Sequence, residues 1–215
     1  MNYYPAFLNL EGKKAVVIGG GKVAERKVLT LLRAGAKVTV VSPALTKRLL
    51  KEKEAKHIRH ISRFYRQGDL KDSFLAIAAT DSPEVNTKVA GDAPGLLNVV
   101  DVPSECNFIA PSVVQRGPLV FAISTGGTSP ALAKTIRKEV EKSYGSVFAG
   151  YLAFVKSLRS RALREISDKQ ARERFLKGLA SGDILDDLRT KGLAAVQQSV
   201  MKRFIKLTGG SGKAV

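Results

Sequence analysis

The chain has 215 residues, 44% hydrophobic and 26% charged, with 36 Lys and Arg against 19 Asp and Glu for a formal net charge of +17. That balance is ordinary for a soluble globular protein with one medium core and a smaller appendage. No apolar run approaches a membrane span, and Met1 to Leu10 lacks the basic-then-apolar layout of a signal peptide, so the expected location is cytoplasmic.

A single cysteine, Cys106, excludes an internal disulfide framework, and one Cys with two His cannot assemble a Cys/His zinc cluster. His57 and His60 fall at i, i+3 in a stretch that alternates like a strand, which points them to opposite faces. No metal site is expected. The charge itself calls for a partner: nucleic acid, an anionic membrane surface or a polyanionic small molecule. The basic residues are spread along the chain, without a dense block, aromatic interleaving or a recognition-helix, OB-fold or RRM signature. A highly charged small substrate accounts for the balance at least as well as nucleic acid, and a solvated basic surface without a single partner is the plain alternative. Neither nucleic acid nor membrane is expected as a partner.

In chain order, strands are expected at Lys14–Ile18, Lys37–Val41, Ile58–Arg63, Leu75–Ala79 and Leu97–Val100, with helices at Val23–Ala34, Ala44–Lys53 and Pro83–Ala93. Such alternation makes an α/β fold, a parallel sheet with helices on both faces that binds ligands at the carboxyl ends of its strands. Those ends are Gly19–Gly21, Ser42-Pro43, Ala79-Thr80-Asp81 and Asp101. Beyond Pro111 a strand at Leu119–Ile123 leads through a polar glycine loop into a helix at Ala131–Tyr144, with Ser129 as N-cap and Pro130 in the first turn. From Ser146 onward the chain reads all-helical, with helices around Ser167–Ala180, Ile184–Leu188 and Leu193–Leu207 and a disordered Gly209-Gly210-Ser211-Gly212 tail.

The first strand runs straight into Gly19-Gly20-Gly21-Lys22-Val23-Ala24, which satisfies Gly-x-Gly-x-x-Gly/Ala with Ala24 in the third small slot. A strand–glycine turn–helix junction aims free backbone N–H groups and the positive helix end at one spot, where a diphosphate can sit. Dinucleotide binding by this turn, with Gly19 and Gly21 in the two glycine slots, is one reading; a structural βα turn is the other. The carboxylate that usually ends the second strand and binds the adenosine ribose is missing, because this strand ends Val40-Val41-Ser42-Pro43. Ser42 offers a hydroxyl instead, and backbone at Pro43 and Ala44 can line the adenosine side. Thr80, at the end of the fourth strand, completes the cofactor set. Lys22, Arg26 and Lys27 stand near enough to favour an extra phosphate, so NAD is only mildly preferred to NADP.

Asp101 ends a buried strand, facing the cofactor site. It can take a proton from a substrate carbon or nitrogen, bind a metal ion, cap a loop or pair with one of the many cations. Asp81 reads as a helix cap, and Cys106, without a nearby histidine base, as a small buried residue. Hydroxyls and N–H groups of Ser124, Thr125, Gly126 and Gly127 can bind substrate carboxylates, or form a strand-to-helix cap.

Gly19 to Lys27, Ala78-Ala79-Thr80-Asp81, Asn98-Val99-Val100-Asp101, Phe108-Ile109-Ala110-Pro111 and Ser124 to Ala133 occur in an order and spacing that resemble the siroheme synthase N-terminal family, the precorrin-2 dehydrogenases, some of which are also sirohydrochlorin ferrochelatases. The resemblance spans Tyr4 to Arg137. It implies NAD-dependent oxidation of precorrin-2 to sirohydrochlorin, in the biosynthesis of siroheme or related tetrapyrroles, and a polycarboxylate substrate that partners the basic surface. It further implies a homodimer with a Rossmann domain (1–112), a dimerisation region (113–145) and a helical C-terminal region (146–215), its active site near the dimer interface. Carried over by position, Lys22-Val23 and Pro43-Ala44 touch NAD and Asp101 is the catalytic acid. Thr125 stands where some relatives carry a phosphorylated serine. The methyltransferase module fused in some relatives is expected to be absent. Two alternatives stay open: an enzyme that also inserts ferrous iron, and a Rossmann-type protein that senses NAD.

Overall fold

β-Branched residues dominate the first two strands, β1 (Lys14–Ile18) and β2 (Lys37–Val41), and after an exposed first lysine both are almost wholly buried. Runs of this kind suit the inside of a parallel sheet covered on both faces. With β3 (Ile58–Ile61), β4 (Leu75–Ala78) and β5 (Leu96–Val99) they form one five-stranded parallel sheet of order β3-β2-β1-β4-β5. The computed structural model describes residues 3–209, which fall into two compact units with the chain boundary between Ala110 and Pro111. The sheet belongs to the first.

Side-chain alternation sorts its core into two layers. Ala15 and Val17 face one side with Val38, Val40 and Ile77, against Ala24, Val28 and Leu31 of helix α1 (Lys22–Arg33) and Leu49 of α2 (Lys47–Glu54). Val16 and Ile18 face the other with Ala76, Ala78, Leu97 and Val99, against Val89 of α3 (Pro83–Asp92) and Leu70. Each wholly buried Val, Leu or Ile contributes roughly 1.5–3 kcal/mol of transfer free energy, so a one-residue slip of any central strand would forfeit several such terms.

Three expectations are corrected here. Helix α2 begins at Lys47, not Ala44, because Thr46 is extended (φ −64°, ψ 159°) and its hydroxyl accepts the Leu49 N–H. The third strand stops at Ile61, because Arg63 N turns back to the Ile61 carbonyl and its guanidinium grips Asp69. Helix α3 is capped by Ser82, whose hydroxyl accepts the Val85 N–H at 3.3 Å, while Asp81 is exposed.

The second unit opens with a hairpin of β6 (Ser112–Arg116) and β7 (Leu119–Ile123), turned at Gly117 with φ +59°. Its first strand was not anticipated. Helices α4 (Pro130–Ser143), α5 (Val147–Glu165), α6 (Lys169–Gly178), α7 (Gly182–Thr190) and α8 (Gly192–Leu207) follow. Phe148, Tyr151, Leu158, Ala162, Phe175, Leu188, Val200 and Phe204 build a core of their own. Ser129, Asp168 and Ser181 cap α4, α6 and α7 through their side chains. Among the described residues no helix is long and apolar enough to cross a membrane. Of the expected disordered tail, Gly210-Ser211-Gly212 lies outside the described residues.

Candidate cofactor and active site

The chain builds outward from β1 in both directions, so the strand order reverses between β1 and β4. In open parallel sheets this is where a crevice opens at the carboxyl ends. The turns after β1 and β4 touch there. Gly19 has φ +118°, and a β-carbon on it would stand 2.2 Å from the Ala79 carbonyl oxygen. Gly20 is as tightly held on the other side, where a β-carbon would meet the Ala44 carbonyl oxygen at 1.9 Å. Gly21 is different: exposed, with φ −79°, and with nothing within 4 Å of a β-carbon placed on it. Two glycines allow backbone to approach backbone, and the third leaves space in front of the helix.

Helix α1 starts at that space without a side-chain cap, whereas α2 and α3 are capped by Thr46 and Ser82. Its first N–H groups and the positive end of its dipole are therefore left for a ligand. The exposed Lys22 and Val23 flank them. Glu25, one turn in, does not face an anion: its carboxylate accepts the Thr46 hydroxyl at 2.5 Å and pairs with Lys22 at 3.5 Å. The Thr46 hydrogen bond, helped by Lys22, holds the Glu25 carboxyl below its usual range against the opposing effect of burial. This link between α1 and the N-cap of α2 fixes the turn's far wall.

Pro43 and Ala44 are exposed beside the glycine turn. Ser42 is buried, and its hydroxyl donates to the Ala44 carbonyl at 2.6 Å, so it shapes the turn from within. His60 Nε2 lies 2.8 Å from the Ser42 carbonyl oxygen and holds the same loop from β3. Thr80 is likewise engaged: its hydroxyl donates to Asn86 Oδ1 at 2.8 Å, and Asn86 Nδ2 returns a bond to the Thr80 carbonyl at 3.1 Å. Buried Asn86 is a polar anchor that the sequence alone did not single out.

Beyond β5, Asp101 sits at the tip of a tight turn with φ +62°, closed by Val102 N on the Val99 carbonyl. Non-glycine residues seldom adopt this conformation, Asn and Asp most readily. Its carboxylate is exposed and makes no hydrogen bond or ion pair among the described residues. Directly upstream, Asn98 is buried, and its amide nitrogen donates to the Phe108 carbonyl at 3.2 Å and to Cys106 Sγ at 3.5 Å. Cys106 is buried too, receiving the Val99 N–H at 3.1 Å, so it packs the turn. Lys27 Nζ donates to Asn98 Oδ1 at 3.3 Å. Of the three cations considered for an extra phosphate, Lys27 is thus drawn towards β5 and Lys22 pairs with Glu25, leaving Arg26 exposed.

In the second unit, Thr125 is locked within its own loop, its hydroxyl donating to the Ser129 carbonyl at 3.0 Å and accepting the Ser129 N–H at 3.1 Å. Ser124 Oγ accepts the Gly126 N–H at 3.0 Å, and Gly126 and Gly127 turn the chain with φ +62° and +87°. These bonds join the strand to the capped helix, while the exposed Ser124, Gly126 and Gly127 still face water.

Comparison with known proteins gives the same outline. Residues 6–112 match the family described as "Putative NAD(P)-binding" and residues 116–143 the family "Sirohaem biosynthesis protein central". The siroheme synthase of Methylobacillus flagellatus is 39% identical over 86% of this chain and 40% of its own length. Siroheme synthase 1 of Aeromonas salmonicida is 36% identical over 100% of this chain and 47% of its own. The chain therefore spans less than half the length of these curated relatives. The solved structure of SirC, precorrin-2 dehydrogenase, superposes with a TM-score of 0.77 at 26% identity, over 93% of this chain and 100% of that one. The chain belongs to the family of the siroheme synthase N-terminal region and the precorrin-2 dehydrogenases.

Proposed function

We propose that this protein oxidises precorrin-2 to sirohydrochlorin with NAD, in siroheme biosynthesis. The similarity to SirC along the whole of that chain carries the reading. The exposed glycine and uncapped helix at the strand-order reversal fit a dinucleotide's diphosphate. Bound there, NAD supplies the hydride acceptor. Gly21, Lys22 and Val23 hold its diphosphate, with Gly19 giving the turn its shape. Pro43 and Ala44 flank the adenosine, and the Ser42 and Thr80 networks keep the walls in place. Asp101, with no structural bond to break, accepts the proton that leaves the substrate with the hydride.

NAD is preferred to NADP because two of the three candidate cations for a ribose phosphate are turned to Asn98 and Glu25. In this reading residues 1–112 form the cofactor domain, 113–145 a dimerisation region and 146–215 a helical region, in a cytoplasmic homodimer. The two family matches fall within or close to the first two regions. The loop at Ser124, Thr125, Gly126 and Gly127 offers its exposed groups to substrate carboxylates. Anaerobic incubation with precorrin-2 and NAD tests the reaction, and a parallel incubation of sirohydrochlorin with ferrous iron reads whether the same chain inserts the metal. Absence of both activities from a folded protein that binds NAD would favour the sensor alternative.

A further inference from the structure

Lys27 is a half-buried cation in no ion pair among the described residues. Its ammonium has one hydrogen-bond partner among them, the neutral amide oxygen of Asn98 at 3.3 Å. The Asn98 amide cannot be turned round, because its nitrogen donates to the Phe108 carbonyl, so its oxygen must face Lys27. A buried asparagine is thereby spent on aiming a lysine. Burial, then the Arg26 guanidinium, pushes the Lys27 pKa below the usual lysine value, while Cys106 and then the Asp101 carboxylate act in the opposite direction. Through Asn98 the ammonium is held at the strand whose carboxyl end leads to Asp101.

An ammonium has three donors, and two remain here. Holding it partly out of water with only a neutral partner costs free energy that an apolar side chain of similar length would not. The arrangement becomes favourable once an anion arrives. The position lies away from the glycine turn: Lys27 follows the Gly21 N-cap by six residues, about 9 Å of helix rise, and leans towards β5. We infer that Lys27 is a substrate-positioning residue, its ammonium receiving one carboxylate of the polycarboxylate substrate beside Asp101. This rests on the dehydrogenase reading above.

The test compares the full-length wild type with Lys27→Gln, Lys27→Met and Lys27→Arg. Wild type must first oxidise precorrin-2; if it does not, the dehydrogenase reading fails and this inference with it. Given turnover, Gln and Met should each raise KM for precorrin-2 about 10- to 100-fold, the usual worth of a hydrogen bond to a charged group, with kcat changed far less. Arg should restore most of the loss. NAD affinity by calorimetry should not change, and the rise of KM with salt should be shallower in the neutral variants. An unchanged KM in either neutral variant, given a wild-type melting profile, overturns the inference and leaves the dehydrogenase reading standing. A fall confined to kcat also overturns it, assigning Lys27 to Asp101 instead of to substrate.

Discussion

Gly20 and Ala44 are packed backbone against backbone: a β-carbon on Gly20 would lie 1.9 Å from the Ala44 carbonyl oxygen and 2.6 Å from Ser42 Oγ. Thr46 N donates to the Gly20 carbonyl at 3.1 Å, so the turns after β1 and β2 are one structure. Gly20→Ala should therefore cost about 1–3 kcal/mol of stability, as overpacking does, and weaken NAD binding by displacing Ala44. Denaturant unfolding and calorimetry measure both. Wild-type stability would show that the two turns are not held together as described.

Gly21 is predicted to behave in the opposite way. A side chain there meets open space, so Gly21→Asp should change stability by less than about 0.5 kcal/mol, as exposed substitutions do. Its carboxylate would face the helix N-terminus where the diphosphate belongs, and NAD binding should be lost. A folded variant with unchanged NAD affinity would remove the cofactor from this turn.

For Asp101 the backbone decides which substitution is informative. With φ +62°, Asn is tolerated best, so Asp101→Asn should keep the fold and NAD affinity. Turnover should fall by roughly two to four orders of magnitude if the carboxylate takes the proton. Dehydrogenation near normal with iron insertion lost would assign Asp101 to the metal reaction. Retention of both activities would make it a turn residue.

The sheet was legible because its signals are local: unbroken apolar runs, glycine at a strand end and small residues at helix starts. What escaped was set by partners distant in sequence. Asn98 reads as an ordinary strand residue until Phe108 and Lys27 are brought against it. Lys27 reads as one of three cations placed to meet an extra phosphate for the same reason. Position alone offers the Ser42 hydroxyl to the ribose, and its bond to the Ala44 carbonyl depends on how the chain turns at Pro43. Strand β6 escapes a local reading because its alternation is short and only Gly117 and Pro118 mark the hairpin. Asp81 and Ser82 are both good caps, and the backbone chose Ser82.

Arg63 and Asp69 give a pH dependence with a definite sign. The carboxylate accepts both guanidinium nitrogens at 2.7 Å and the Arg66 N–H at 2.8 Å, and only 8% of its side chain is exposed. The Arg63 pair, then the Arg66 N–H, hold the Asp69 carboxyl below its ordinary value, against the effect of burial. A lowered folded-state value means a contribution present above the unfolded carboxylate's range and lost as pH falls through the folded-state value. Asp69→Asn should cost about 1–3 kcal/mol at neutral pH, and its gap from wild type should narrow below about pH 4. A gap constant down to the acid limit would contradict the pairing.

The central claim is tested most directly by incubating the purified chain anaerobically with precorrin-2 and NAD while recording the full absorption spectrum. The account predicts the spectrum of sirohydrochlorin growing in step with NADH, one for one, and neither change without the protein or with Gly21→Asp. NAD reduction absent from a folded, NAD-binding protein supplied with precorrin-2 would contradict it.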